Sequence, residues 1–224
     1  MMVPFVLAAL LSSPLQGQSA QESRTFPFDV HGFAVLGHTY DPENPDKQER
    51  TYYRTVDDGG QSFIRAFYNP PEATVTLFRS VPDELRHGVR HMKWRWRAQV
   101  LPRGGNECAA GHGDSAAAVY VTWKRGMRWY SLKFVWSSEA PAGATCNRIR
   151  NPLVASDSIV LRTGTTSDGW VEENVDPEEL FRQHFNDGDP SSDIPELQGI
   201  GLMSDGDQTR SVSAADYAGF VLYK

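Results

Sequence analysis

The stretch from Met92 to Val100 constrains the fold more than any other part of this 224-residue chain. Its even positions carry apolar side chains, including Trp94 and Trp96, whereas its odd positions carry lysine, arginine and glutamine. This alternation is typical of a β-strand with one buried face. Because a single sheet cannot cover two tryptophans, the stretch predicts a second layer, and a second sheet is the simplest one. Trp94 and Trp96 are therefore expected in the core.

Short β-forming runs recur along the chain, separated by turns that are rich in glycine and proline. Strands are predicted at 26–36, 51–56, 61–67, 74–78, 116–123, 128–136, 158–161, 169–175, 199–203 and 217–223. The sequence Asp57-Asp58-Gly59-Gly60 predicts a hairpin between two of them. The run 116–123 is apolar on both faces, which indicates a central strand covered on both sides. The pattern predicts an all-β fold, a two-sheet β-sandwich of the jelly-roll type.

One helix is predicted at 177–185. Asp176 is a good N-cap, Pro177 suits the first helical position, and Glu179 completes a box-like pattern. The apolar stripe includes Leu180, Phe181 and Phe185, and a glycine follows at position 188.

Residues 1–20 differ from the rest, with an apolar run at 3–11 followed by small and polar residues. This pattern predicts a secretory signal peptide, with an apolar run too short to span a membrane, and a single domain at 21–224. The chain has two cysteines, Cys108 and Cys146, in connections beside a pair of strands. In an exported chain, this pair predicts a disulfide rather than a metal site. Localisation in the periplasm or outside the cell is expected.

The overall charge argues against one class of partner. The formal net charge is −6, which disfavours non-specific binding to nucleic acid. No run after the leader is long enough to predict a transmembrane segment.

Several catalytic motifs are weak or absent. Gly113-Asp114-Ser115 resembles the nucleophile block of some serine esterases, but a strand follows it where a helix would be needed. Glu172 and Glu173 are adjacent on a predicted strand and should point to opposite faces, so they cannot flank one glycosidic bond together. Carboxylates from distant strands could still meet.

The segment Asp205-Gly206-Asp207-Gln208-Thr209 forms an acidic loop before the last strand. Oxygen ligands at alternate positions suit Ca²⁺, but a polar turn with backbone donors explains the same residues. We favour the turn, and no metal or cofactor is predicted. Among the aromatic residues, Trp129 and Trp170 lie near turns and are candidates for stacking on sugar rings, whereas most other tryptophans are expected in the core.

The chain also resembles a bacterial family, domain of unknown function 3047, over roughly residues 90–223. The blocks that carry the resemblance are Trp94-Arg95-Trp96, Gly113-Asp114, Val135-Trp136-Ser137, Trp170-x-x-Glu173-Asn174-Val175, Phe181-Arg182 and Gly199-Ile200-x-x-Met203-x-Asp205-x-Asp207-x-Thr209. Members commonly carry two acids where this chain has Asp114-Ser115, which puts in doubt any site that needs the second acid. The resemblance implies architecture and export more than a particular activity.

Three functions are compatible with these observations. The first is an exported, non-catalytic module that binds carbohydrate or a cell-envelope component. The alternatives are a polysaccharide-active enzyme that uses scattered carboxylates, and a structural module for protein interaction. The candidate ligand-binding residues are Trp129, Trp170, Asp114, Glu173, Asp205 and Asp207.

Overall fold

The structure is a computed structural model that describes residues 24–37 and 51–224. The predicted signal peptide at 1–20 lies outside the described residues. Within the described ranges, no helix is long and apolar enough to cross a membrane.

Thirteen strands and one α-helix make up the described fold. In chain order they are β1 (Thr25–Pro27), β2 (Ala34–Val35), β3 (Tyr53–Asp58), β4 (Gln61–Tyr68), β5 (Leu77–Ser80), β6 (His91–Val100), β7 (Ala117–Arg125), β8 (Arg128–Ser137), β9 (Thr145–Arg150), β10 (Val154–Thr163), β11 (Val171–Val175), α1 (Pro177–Phe185), β12 (Glu196–Met203) and β13 (Ser213–Tyr223). Short 3₁₀ turns occur at Val30–Gly32 and Asp83–Leu85.

The strands form two sheets. Sheet A has six strands in the order β11-β6-β13-β4-β3, with β1 paired to β13. Sheet B has seven strands in the order β2-β5-β12-β7-β8-β10-β9. Consecutive strands lie in different sheets at eight places: β1 and β2, β2 and β3, β4 and β5, β5 and β6, β6 and β7, β10 and β11, β11 and β12, and β12 and β13. Repeated crossing of this kind is typical of jelly-roll sandwiches, so the predicted all-β fold class is confirmed.

Aromatic side chains hold the two sheets together. Trp94 and Trp96 on β6 are both 0% exposed. The Trp94 ring packs on Phe134 with centroids 5.4 Å apart, and Trp96 packs on Trp136 at 5.8 Å. Since β6 belongs to sheet A and β8 to sheet B, these contacts join the layers, as the alternating pattern predicted.

Two local predictions are confirmed. The β3–β4 hairpin turns through Gly59 and Gly60, both with positive φ, as a two-residue turn of this hand requires. The helix begins after Asp176, whose carboxylate accepts a hydrogen bond from the backbone N–H of Glu179 at 2.9 Å. The Glu179 side chain accepts instead from Gln183, so the cap is one-sided.

Two features of sheet B were not predicted. Strand β9 was missed, and β10 runs parallel to β8, with Val154 opposite Trp129. The segment before β9 contains Pro141, Gly143 and alanines, which read as a loop and gave no β signal.

The prediction that β7 is covered on both sides holds for only part of the strand. Ala118 is 0% exposed, and so is Val135, its partner on β8. Tyr120 and Thr122, further along β7, are partly exposed on the same face. This partly uncovered surface of sheet B is the face turned away from sheet A.

We predict that Trp96→Ala lowers the free energy of unfolding by about 3–5 kcal/mol, because a buried tryptophan leaves a cavity between the sheets. Trp129→Ala, at a position 41% exposed, serves as the matched control and should change it by no more than about 0.5 kcal/mol. Urea unfolding followed by far-UV circular dichroism measures both. Equal stabilities of the two variants would show that the core has been misassigned.

Candidate functional site

Three rows of side chains cross the face of sheet B that is turned away from sheet A, which we call the outer face. On β7 and β8, Tyr120 is paired with Lys133, Thr122 with Ser131, and Lys124 with Trp129. The intervening residues, such as Val121 and Leu132, are in the core. The two-residue period of a strand therefore places these pairs on the outer face.

A groove of about 490 Å³ lies on this face at the Tyr120 end. Its lining comes from β7, β8, β9, β10, the end of β12 and the two loops that precede β7 and β13. The lining residues are Glu107, Gly113, Tyr120, Ser131, Lys133, Asn147, Arg148, Ile149, Ser156, Asp157, Ser158, Met203, Asp205 and Gln208. We refer to this concavity as the groove.

A disulfide ties one wall of the groove to the sheet. Cys108 is bonded to Cys146 on β9 with Cα atoms 5.0 Å apart, which confirms the predicted pairing. The residues next to the two cysteines, Glu107 and Asn147, both line the groove. The side-chain amide of Asn147 donates to the Glu107 carboxylate at 3.0 Å. The disulfide thus fixes a loop that carries a lining carboxylate.

Lys133 lies on the groove floor and is paired with the same carboxylate. Its Nζ donates to Glu107 Oε1 at 2.7 Å and lies 5.8 Å from the centre of the Tyr120 ring. Burial lowers the pKa of Lys133, but interactions with Tyr120, Asp205 and Glu107 outweigh burial and raise it above its ordinary value. Lys133 is therefore charged at physiological pH.

Asp205 forms part of the opposite wall. It is 3% exposed, and its Oδ1 accepts from the backbone N–H of Ser115 at 2.8 Å. Within the described part of the chain, no hydrogen bond reaches its other oxygen, Oδ2. Burial raises the pKa of Asp205 to about 6, with Lys133 opposing the rise and Asp114 adding to it.

The acidic residues Asp114, Asp205 and Asp207 come together, as the sequence allowed. Each offers one oxygen, and these oxygens lie within 4.8 Å of one another, a geometry that could hold a metal ion. Two backbone N–H groups, of Gln208 and Thr209, already donate to Asp114. Asp205 accepts from Ser115, whereas no hydrogen bond to the Asp207 carboxylate occurs within the described residues. The polar turn therefore stays a prediction, to be tested against the calcium site by adding calcium.

The structure places Asp114 and Ser115 in structural roles. Both are 0% exposed, and Ser115 leads directly into β7. A serine buried in this way cannot act as the nucleophile of an esterase.

The other predicted ligand residues lie apart from the acidic loop. Trp129 is exposed on the outer face of sheet B, with Lys124 Nζ 4.9 Å from the centre of its ring. Trp170 lies just before β11 beside sheet A, where its ring meets Phe63 edge to face at 5.6 Å and the Arg97 guanidinium lies 4.7 Å from its centre. It therefore faces away from the groove.

Glu173 belongs to an ion pair that joins the sheets. It accepts from Trp96 Nε1 at 3.0 Å, and Arg162 contacts both of its carboxylate oxygens at 2.7 and 3.1 Å. Its ligand-binding role is therefore replaced by a structural one. Glu172 is exposed while Glu173 is buried, as expected for neighbours on opposite faces of a strand.

The sequence did not reveal Tyr120, Lys133, Glu107 or Asn147 as site residues. A signal existed for Lys133, since it stands between the apolar positions 132 and 134 and so must point to the opposite face of β8. The contribution of Glu107 and Asn147 depends on the path of the loops.

We predict a pH-dependent difference in stability between the wild type and D205N. The raised pKa means that folding favours neutral Asp205, so its stabilisation is present below pH 3.8 and lost as pH rises through about 6. The free energy of unfolding of the wild type should therefore fall relative to that of D205N by on the order of 2–3 kcal/mol over this interval. Urea unfolding at several pH values measures it, and a pH-independent difference would contradict the proposed environment of Asp205.

No curated protein sequence matches the chain. Residues 40–221 match a family described as "Protein of unknown function (DUF3047)".

Solved structures give distant similarities. The family 11 carbohydrate-binding module from Clostridium thermocellum in complex with a β-1,3-1,4-mixed-linked tetrasaccharide is 8% identical, with a TM-score of 0.37 over 92% of this chain and 91% of that one. The xyloglucanase domain of NopAA from Sinorhizobium fredii in complex with cellobiose is 9% identical, with a TM-score of 0.44 over 89% and 97%. Endoglucanase 3 of Trichoderma harzianum, from family GH12, is 10% identical, with a TM-score of 0.41 over 92% and 99%. With TM-scores this low, these similarities support no inference about ligand or activity.

Proposed function

This chain belongs to the DUF3047 family, and we propose that it is an exported, non-catalytic module that binds carbohydrate in the groove on the outer face of sheet B. The observation that carries the proposal is the placement of an aromatic ring between a hydrogen-bond donor and an acceptor.

Tyr120 supplies the ring and lies on the groove floor. Lys133, beside it, donates one N–H to Glu107 and also interacts with the Tyr120 hydroxyl. An ammonium group has three N–H donors, so one remains for a ligand. Asp205 Oδ2 is the acceptor on the other wall. A pyranose ring has an apolar face that can stack on an aromatic side chain and hydroxyl groups at its edge that both donate and accept. The three side chains match these features.

The charges around the groove favour a neutral sugar. Lys133 is paired with Glu107, and Asp157 is paired with Arg150 at 2.8 Å and with Arg148 at 3.6 Å. Among the lining residues, three acids (Glu107, Asp157 and Asp205) stand against two bases (Lys133 and Arg148), so the formal charge of the lining is −1. An acidic sugar would therefore meet uncompensated negative charge.

Export is the second part of the proposal. Disulfides persist mainly in oxidising compartments, and the bond between Cys108 and Cys146 suits such an environment. The apolar leader pattern at 3–11 supports the same interpretation.

One observation favours the enzymatic alternative. Asp205 has a raised pKa and shares the groove with Glu107, and glycoside hydrolases need a protonated acid and a second carboxylate. However, Glu107 is already bonded to Lys133 and Asn147, which makes it a poor base or nucleophile. We therefore place binding ahead of hydrolysis.

We predict that residues 21–224 bind neutral glycans on a glycan array and that D205N weakens this binding roughly ten- to hundredfold, since a charged hydrogen bond is lost. Asp207→Asn is the matched control, because Asp207 is exposed in the same loop but does not line the groove. It should retain the wild-type affinity.

Two results would overturn the proposal. If D207N and D205N lose affinity equally, the groove is not the binding site. If the wild type releases reducing sugar from a bound glycan and D205N does not, the module is an enzyme.

A further inference from the structure

The outer face of sheet B continues past the groove, and its far end carries a second aromatic side chain. Trp129 is separated from Lys133 by four positions on β8, which corresponds to about 13 Å along an extended strand. Both side chains point outward, because residues two and four apart share one face. Tyr120 and Trp129 therefore lie at the two ends of one surface.

The surface between these ends is formed by small, uncharged residues. The middle row contains Thr122, Ser131 and Ser156, which lie side by side on β7, β8 and β10, and Gly199 on β12 is opposite Thr122. These residues have short side chains or none, and the first three carry hydroxyl groups. The ring of Phe78 on β5 occupies the space above Gly199, so the uncovered part of the row is Thr122, Ser131 and Ser156, each partly exposed. A ligand lying along β7 and β8 would find a hydroxyl on each of these strands.

Exposed apolar side chains border the same route. Ile149 is 46% exposed, lines the groove and lies on β9 opposite Ser156. Leu153 is 56% exposed, and its carbonyl accepts from the backbone N–H of Trp129 at 2.8 Å. Contiguous exposed apolar surface with polar neighbours is typical of a binding site. We refer to the surface that runs along β7 and β8, from the groove across the row of Thr122, Ser131 and Ser156 to Trp129, as the track.

The loops close the opposite end of the groove and fix its direction. Beyond Tyr120, the outer positions Ala118, Val135 and Val160 are all 0% exposed. Val160 packs against Ala140, Ala144 and Cys146, and its backbone exchanges hydrogen bonds with Gly143 and Ala144 at 2.7 and 2.9 Å. Along the strand direction, a chain that is too long for the groove can therefore extend toward Trp129.

From this arrangement we infer that the ligand is a linear, neutral polysaccharide bound lengthwise along β7 and β8, with its first sugar at Tyr120 and a later sugar stacked on Trp129. The inference rests on the proposed function and adds the chain form and length of the ligand. A disaccharide held at Tyr120 is too short to reach Trp129, whereas a hexasaccharide spans the track.

Calorimetric titration with disaccharides and hexasaccharides tests the inference. The probes are β-1,4-linked glucose, α-1,4-linked glucose and β-1,4-linked N-acetylglucosamine, each in both lengths, and a galacturonic acid hexasaccharide as the acidic control. In the series that binds, the hexasaccharide should bind at least about tenfold more tightly than the disaccharide, because it gains the stacking contact. Trp129→Ala should remove most of that gain and leave the affinity for the disaccharide unchanged.

Trp170→Ala is the matched control, since it removes a partly exposed tryptophan beside the opposite sheet and should change neither affinity. Equal affinity for the two lengths, or an equal loss for both in Trp129→Ala, would overturn the track while leaving the groove as a binding site. Preference for the galacturonic acid hexasaccharide would overturn the neutral assignment. Absence of binding by every probe would instead count against the proposed function itself, and the track would fall with it.

Discussion

The packing of Trp94 and Trp96 against Phe134 and Trp136 is the interaction on which the rest of the structure depends. These four rings, all 4% exposed or less, join β6 of sheet A to β8 of sheet B. Once alternate residues of β8 are committed to this contact, the remaining ones must face outward. The position of the candidate site therefore follows from the core.

The interior also determines which polar residues are available for binding. Glu173 is held by Trp96 and Arg162 at the edge between the sheets, and Asp114 is held by the loop at 208–209. Both acids are satisfied by protein donors. Asp205 differs, because one oxygen is bonded to Ser115 and the other is not engaged within the described chain. That difference is why one buried acid in this region is proposed to contact ligand and the others are not.

The sequence predicted what depends on local pattern. The alternation on β6, the glycine turn of the β3–β4 hairpin and the N-cap at Asp176 each arise within a few residues, and the structure has all three. The disulfide was also predicted, from the cysteine count and the expected compartment.

Features that depend on distant parts of the chain were not predictable. The groove brings together Tyr120, Lys133, Asn147 and Asp205 from different strands and loops. Their spacing in the sequence does not indicate that they lie close together. Trp170 had the same local signal as Trp129, a tryptophan close to a turn. Only the sheet order shows that one is beside sheet A and the other on the outer face of sheet B.

The central claim is that ligand binds to the outer face of sheet B. Backbone amide chemical shifts of the ¹⁵N-labelled protein, recorded during titration with the most tightly binding neutral hexasaccharide, test it most directly. The account predicts shifts concentrated at Tyr120, Ser131, Ser156 and Trp129. Shifts concentrated instead around Arg95, Arg97 and Trp170 would place the ligand on sheet A and contradict it.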